Sequence, residues 1–370
     1  MARALALAAN GLGRTWPNPP VGAVFVRGGR VVGEGFHTRA GAPHAEIEAL
    51  RAAGTRARGA ELYATLEPCT HHGRTPPCVD ALLPLRLARV VVATTDPDPR
   101  GRGRGIRRLR RARVPVDVGV GAEEAERLLA GYRSRVLRGR PLVTLKLAAT
   151  LDGRIAARGG DARWITGPAA RRLAHALRDV SDAVPVGVGT VRADDPRLTC
   201  RLPGGHDPVR IVLAGRQLRL PPRARLLRAG GPPTWVIAPR GAIPARVAAL
   251  ERRGVRVLLL PGRAGRVSFG ALTRSLGALG LTSLLVEGGS MVAAEALRAR
   301  AVDRLVLFLA PALLGGDAIP AVGPLGLSHV ADAIRLENLG VAAAGGDLVV
   351  EGRVRYRRAS GPFASRGLAR

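Results

Sequence analysis

Four residues near the start of the chain, His44, Glu46, Cys69 and Cys78, are of types that can do zinc chemistry together. A catalytic zinc takes three protein ligands and leaves a fourth position for water, whose pKa falls from 15.7 to about 7. His44, Cys69 and Cys78 can supply the three. Glu46 would then be a proton shuttle, taking a proton from the water and passing it to a departing amino group. His44 and Glu46 are two positions apart, about 200° around a regular helix, so they share a site only at an irregular first turn. Pro43, immediately before them, marks such a turn.

The order His-x-Glu followed by Pro-Cys is the signature of zinc base deaminases, but there the second cysteine comes three residues after the first. Here Cys78 comes nine residues after Cys69. His72 occupies the third position and is a rival ligand, with His71 beside it. The bland alternative is two buried cysteines and a surface histidine.

The second half offers less. No G-x-G-x-x-G follows its first strand, so the dinucleotide fingerprint is missing. Leu284 to Val286 reads as a buried strand that runs through Glu287-Gly288-Gly289-Ser290 into a helix, a turn able to present backbone amides to phosphate or simply to reverse the chain. Lys146 is the only lysine in a chain that otherwise uses arginine, which points to a compact ammonium with a task. Asp194-Asp195-Pro196 reads as a polar turn, and Cys200 as a small buried hydrophobe.

The elements that must position these residues follow from short apolar runs. Val21 to Val26, Glu61 to Leu66 and Ala88 to Ala93 read as buried strands, and Ala45 to Ala53 and Ala122 to Leu137 as helices. Arg138-Gly139-Arg140-Pro141 breaks the pattern and is the best boundary. A second series follows, with strands at 142–147, 183–188, 209–213, 234–237, 255–260, 281–286 and 302–309 and helices at 168–178 and 243–252, which predicts a mostly parallel sheet. At 370 residues the chain has room for two cores.

The formal charge of +30 is carried by scattered arginine, and aromatic residues are only 3%. With no stacking platform, nucleic acid is not the expected partner. The apolar run Ala4 to Ala9 is too short for a signal-peptide core, and no segment is long enough to cross a membrane. Three cysteines cannot all pair, which fits a reducing, cytoplasmic setting.

Three stretches are more specific. Gly13 to Val24 with its Trp16-Pro17-Asn18-Pro19-Pro20, His44-Ala45-Glu46, and Leu66 to Cys78 closely resemble the bifunctional deaminase-reductase family of riboflavin biosynthesis. That family carries the long insert between the cysteines, so the resemblance favours Cys78 over His72. The matches continue through Lys146 to Ala156, Trp164 to Gly167, Gly189 to Thr199 and Val286 to Gly289. They imply an α/β chain: a cytidine-deaminase-like three-layer domain over 1–139, a dihydrofolate-reductase-like domain over 140–356, and a basic frayed tail over 357–370.

The resemblance also implies the cofactors, Zn2+ and NADPH, and a small-molecule substrate, a diamino-pyrimidinone carrying a ribosylamino phosphate. The first half would remove a pyrimidine amino group. The second would deliver hydride to the ribose carbon, opening the sugar to ribityl. By the same resemblance Asn18, Lys146, Arg178, Leu198, Arg201 and Glu287 face substrate, and Ala148, Trp164, Thr190, Asp194, Gly288, Gly289 and Ser290 contact NADPH. Arginine suits a phosphate because its planar fork donates two hydrogen bonds. Thr150 and Ala162 stand where the family has serine, Ala214-Gly215 replaces Asp-Ser, and Pro185 falls inside a strand. The losses at Ala162, Ala214-Gly215 and Pro185 are each expected to cost about 1 kcal/mol, the scale of one hydrogen bond. A homo-oligomer is compatible with the sequence.

Overall fold

The structure, a computed structural model, describes residues 1–73, 75–228 and 230–357. Apart from Arg357, the expected tail lies outside the described residues.

The first apolar series builds β1 (Gly22–Arg27), β2 (Arg30–Phe36), β3 (Glu61–Ala64), β4 (Arg89–Val92) and β5 (Val116–Val118). They form one sheet in the order β2-β1-β3-β4-β5, antiparallel at the β2 side and parallel from β3 to β5. Because side chains alternate across a strand, each face finds its own cover. Ala23, Phe25, Leu62, Val90 and Val92 meet α2 (Ala45–Ala53), α3 (Cys78–Leu82) and α4 (Arg104–Arg111). Val24 and Tyr63, on the other face, meet α1 (Ala2–Ala9), the helix formed by the N-terminal apolar run. Three layers result. The expected single helix over 122–137 is two, α5 (Ala122–Leu128) and α6 (Ala130–Arg138), meeting at Leu129, and Gly139 then ends α6 in the left-handed region.

The second series has nine strands in one sheet, with smaller pieces around it. In chain order its elements are β6 (Leu142–Thr150), β7 (Arg154–Ala156), α7 (Pro168–Asp179), β8 (Ala183–Gly187), α8 (Val188–Asp194), β9 (Val209–Leu213), β10 (Thr234–Pro239), α9 (Pro244–Glu251), β11 (Arg256–Leu260), β12 (Gly262–Arg263) and β13 (Arg266–Val267). Then come α10 (Phe269–Ala278), β14 (Ser283–Val286), α11 (Ser290–Arg298), β15 (Arg304–Ala310), β16 (Ile319–Pro320), β17 (Arg335–Ala344) and β18 (Asp347–Arg355). The sheet order is β11-β10-β9-β8-β14-β6-β15-β18-β17, parallel up to β15 and closed by the antiparallel β18–β17 hairpin. The hairpin escaped the sequence reading because most of β17 is exposed, leaving no buried apolar run to find. Helices α10 and α11 cover one face, and α7, α8 and α9 the other.

Pro185 sits inside β8 without breaking it, since the β8–β9 ladder runs unbroken from Ala183 to Gly187. Its carbonyl accepts from Glu287 N at 3.4 Å, so its missing donor faces β14. On that side only the Leu284–Ala183 pair is in register. The proline thus thins the ladder at the point where β14 gives way to the Glu287-Gly288-Gly289 turn.

Among the described residues, no helix is long and apolar enough to cross a membrane.

Candidate active site

Close packing sets the first site. At Gly33 and Gly35 of β2 a Cβ would lie 2.4 and 2.6 Å from the α2 backbone, so only glycine lets the helix sit this near the strand. The N-terminus of α2 therefore points into a cavity of about 300 Å³. His44 is its N-cap residue with extended backbone (φ −71°, ψ 162°), and Glu46 lies in the first turn. This is the irregular turn that the His-x-Glu spacing requires.

His44 Nδ1 lies 3.1 Å from Cys78 Sγ and 3.4 Å from Cys69 Sγ. All three ligand atoms lie within 4.8 Å of one another. A tetrahedral zinc with Zn–S near 2.3 Å and Zn–N near 2.0 Å needs ligand separations of about 3.5–3.8 Å, so a slight widening admits the ion. The donor set is right for zinc as well: two thiols and an imidazole. His44 Nε2–H can donate to Thr75 Oγ1 at 3.2 Å, which leaves Nδ1 as the ligand nitrogen. The Cys78 N–H donates to Cys69 Sγ at 3.3 Å. Hydrogen bonding from Cys78, then from His44, holds the Cys69 thiol well below its ordinary value. Glu46, 4% exposed, is pushed up to about 7 by burial and by the neighbouring Cys69 charge. His71 and His72 line the cavity but stand outside the ligand triangle, and His72 is exposed.

Asn18 also lines this cavity. Two residues that the sequence reading missed hold the site in shape. Buried His37 bridges Asn18 to the turn before His44: its Nδ1–H can donate to Pro43 O at 3.0 Å, and its Nε2 accepts from Asn18 Nδ2 at 3.0 Å. Buried Glu67 accepts from the N–H groups of Asp96, Gly103 and Ile106, tying the Pro68-Cys69 loop to the start of α4. Its one available signal was a charged residue directly before Pro-Cys.

The second constellation lies where the parallel strands end, the usual place for a site in such a sheet. Register places Val286, the last residue of β14, beside Leu145, so Glu287 arrives level with Lys146. Arg178, near the end of α7, grips Glu287 with two bonds, Nε to Oε1 at 2.5 Å and Nη2 to Oε2 at 2.6 Å. Burial raises the Glu287 carboxyl, but the Arg178 charge and hydrogen bonds outweigh it and hold the group below its ordinary value. Burial lowers Lys146, and the Glu287 charge works against that.

Arg201 donates through Nε to His175 Nε2 at 3.0 Å. Burial and the charges of Arg178 and Arg201 push His175 down to about 4, so its ring is a neutral acceptor. His175 was overlooked, although its spacing of three from Arg178 puts both on one face of α7. Leu198 is buried with a positive φ of 54°.

Gly288 has φ 89°, Gly289 caps the nine-residue α11, and Ser290 is its first residue. A Cβ at Gly288 would meet nothing within 4 Å, and the N–H groups of Gly288 and Gly289 donate to no carbonyl among the described residues. Open space before free amides at a helix start suits a dinucleotide phosphate. Thr190 is beside this turn, its Oγ1 3.2 Å from where a Gly289 Cβ would be. Arg163 Nη2 donates to Asp194 O at 3.0 Å, tying the Trp164 loop to the end of α8. Trp164 is 68% exposed, with the Arg171 guanidinium 4.5 Å from its ring centre. Ala148 is half-buried on β6, packed against the cluster of Ala170 and Phe308.

Thr150 keeps a working hydroxyl: it donates to Asp152 and accepts from Arg154 N at 3.0 Å, closing the turn after β6. Cys200 is only half-buried, and its thiol donates to His175 O at 3.6 Å, correcting the expectation of a fully buried side chain.

Comparison with known proteins finds matches for both halves of the chain. A family described as "Cytidine and deoxycytidylate deaminase zinc-binding region" matches residues 1–94, and "RibD C-terminal domain" matches residues 141–350. The chain belongs to the RibD family. The Aquifex aeolicus RibD is 43% identical over 351 residues, covering 95% of this chain and 96% of that protein. The Escherichia coli RibD is 42% identical over 349 residues, covering 90% and 92%. A solved Thermotoga maritima structure, a diaminohydroxyphosphoribosylaminopyrimidine deaminase and 5-amino-6-(5-phosphoribosylamino)uracil reductase, is 37% identical with a TM-score of 0.84, covering 96% of this chain and 97% of that one. RibD membership makes this chain a bifunctional enzyme of riboflavin biosynthesis, a zinc-dependent deaminase joined to an NADPH-dependent reductase of dihydrofolate-reductase-like fold.

Proposed function

We propose that residues 1–139 hydrolytically deaminate a diamino-pyrimidinone ribosylamino phosphate and that residues 140–356 reduce its ribosylamino group to ribitylamino. The observation that carries the first step is the triangle of His44 Nδ1, Cys69 Sγ and Cys78 Sγ beside buried Glu46. Zinc held there would supply a Lewis acid that lets water lose a proton near neutral pH. Glu46 takes that proton and returns it to the leaving nitrogen, so ammonia departs and a carbonyl remains. Asn18, fixed by His37, hydrogen-bonds the pyrimidine edge.

In the second half NADPH, when bound, supplies the hydride. The Gly288 to Ser290 turn and Thr190 receive its phosphates, and Ala148, Trp164 and Asp194 border the rest of it. Lys146, Arg178, Leu198 and Glu287 surround the substrate's ribose, while Arg201 holds its phosphate. Free thiol ligands favour a reducing milieu, which supports a cytoplasmic enzyme. Nucleic acid and membranes are not partners on this reading.

The test supplies the diamino-pyrimidinone substrate to zinc-loaded protein with and without NADPH and identifies products by mass. Deaminated ribosylamino product is expected without NADPH, and the ribitylamino product with it. Glu46→Gln should keep zinc yet lose about 10²–10⁴-fold in deamination. Unchanged turnover in that variant would remove Glu46 from the mechanism.

A further inference from the structure

The deaminase cavity is lined by two described arginines, and they differ in what they are bonded to. Arg100 is committed: it forks onto Asp98 with Nε at 3.0 and 3.1 Å and Nη2 at 2.6 Å. The side chain of Arg135, on α6, makes no hydrogen bond or ion pair among the described residues, and its Nε is buried without a partner. None of the carboxylates that line the cavity with it bonds to it, since their acceptors are taken by other groups. Asp98 holds Arg100, Glu67 accepts three backbone N–H groups, and Asp96 accepts from Tyr132 Oη and Asp98 N. A half-buried guanidinium whose inner Nε has no partner keeps its donors free, and in a substrate cavity such a fork suits an anion.

The backbone carrying Arg135 is also fixed in place. Tyr132, one turn earlier, donates to Asp96 Oδ1 at 3.2 Å, and Ser134 Oγ donates to Arg140 O at 2.8 Å. A Cβ at Gly131 would lie 2.9 Å from Thr282 O, so α6 is pressed against the turn that leads into β14. The reductase half thus braces the helix from which Arg135 reaches the deaminase cavity, and a donor positioned beforehand binds its anion with less ordering cost.

We infer that Arg135 is a substrate-binding residue of the deaminase, recognising the phosphate of the ribosylamino phosphate. This rests on the deaminase reading above. Arg135 makes the first site selective for a phosphorylated over a dephosphorylated substrate, using a side chain from the junction between the halves.

The experiment measures steady-state deamination of the phosphorylated substrate and of its dephosphorylated nucleoside by wild type, Arg135→Ala and Arg135→Lys, with zinc content determined for each. Arg135→Ala is expected to raise KM for the phosphorylated substrate about 10–100-fold, the scale of one charged hydrogen-bond pair, with kcat little changed. KM for the nucleoside should stay at its wild-type value, zinc should be retained, and Arg135→Lys should recover part of the loss. An equal rise for both substrates, or no rise for either, would overturn the inference, the first showing a merely structural role. Wild-type protein that deaminates neither compound would instead overturn the underlying deaminase reading, and the phosphate assignment with it.

Discussion

His44 and Cys78 are 34 residues apart, whereas Arg178 and Glu287 are 109 apart and sit on a sheet whose strand order is scrambled relative to the chain. The first site is built from two helix starts, those of α2 and α3, and the loop that carries Cys69, so its members lie in sequence as a recognisable string. The second is assembled by register, with Lys146 from β6, Arg178 from α7 and Glu287 from the end of β14 meeting only because β8, β14 and β6 are neighbours. A compact site tolerates the loss of its surroundings, and a distributed site depends on the sheet.

The largest effect is expected at the zinc triangle. Cys78→Ser should strip the metal and abolish deamination, while reduction of the pre-deaminated intermediate continues, because Cys78 touches only the first site. His72→Ala should keep the metal, since His72 stands outside the triangle. Metal analysis and the two separate assays decide it; zinc lost from His72→Ala and kept in Cys78→Ser would reverse the ligand assignment.

The same contrast explains what could be read without coordinates. Zinc ligands, the acid beside them and most strands were legible, because a helix cap, a Pro-Cys loop and buried apolar runs are local features. His37, Glu67, Arg135 and His175 were not, since the local signals beside them, such as the Pro-Cys after Glu67 or the spacing of His175 from Arg178, are too weak to single them out. Their roles follow from tertiary approach: His37 through the Pro43 carbonyl, Glu67 through the N-terminus of α4, Arg135 through the packing of Gly131 on Thr282, His175 through Arg201. The β17–β18 hairpin was missed for a different reason, the lack of apolar alternation on an exposed edge strand.

A second, smaller effect should appear at the Arg178–Glu287 pair, where the side chains are 14% and 7% exposed. Removing one partner leaves a buried charge uncompensated, which costs about 3–5 kcal/mol. Arg178→Ala should therefore lose reductase turnover and lower stability by that amount in denaturant titration. Deamination should persist at denaturant concentrations where the second half is still folded. An Arg178→Ala protein as stable as the wild type would show that the pair is not the keystone of the distributed site.

The mildest perturbation concerns the junction that links the two regions. Asp303, just before β15, accepts from Arg138 Nη1 at 2.7 Å, from Arg140 Nη1 and Nη2 at 2.7 and 2.8 Å and from Val143 N at 2.9 Å. Burial raises its pKa, but the bonds from Arg140 and Val143 and the charges of both arginines outweigh that and hold it below the ordinary carboxylate value. A carboxyl whose folded pKa is depressed binds protons more readily when unfolded, so it contributes stability above the unfolded value of 3.8 and loses it as pH falls through the lower folded value. Asp303→Asn should then cost about 1–3 kcal/mol at neutral pH, the worth of hydrogen bonds to a charged group, and the difference from wild type should shrink in acid below 3.8. Because Arg138 ends α6 and Arg140 follows it by two residues, the variant should also loosen the helix that carries Arg135 and raise KM for the phosphorylated substrate without touching zinc content. A destabilisation that stays constant from neutral pH into acid would show that Asp303 acts through packing alone, and the two halves would then be joined by shape rather than by charge.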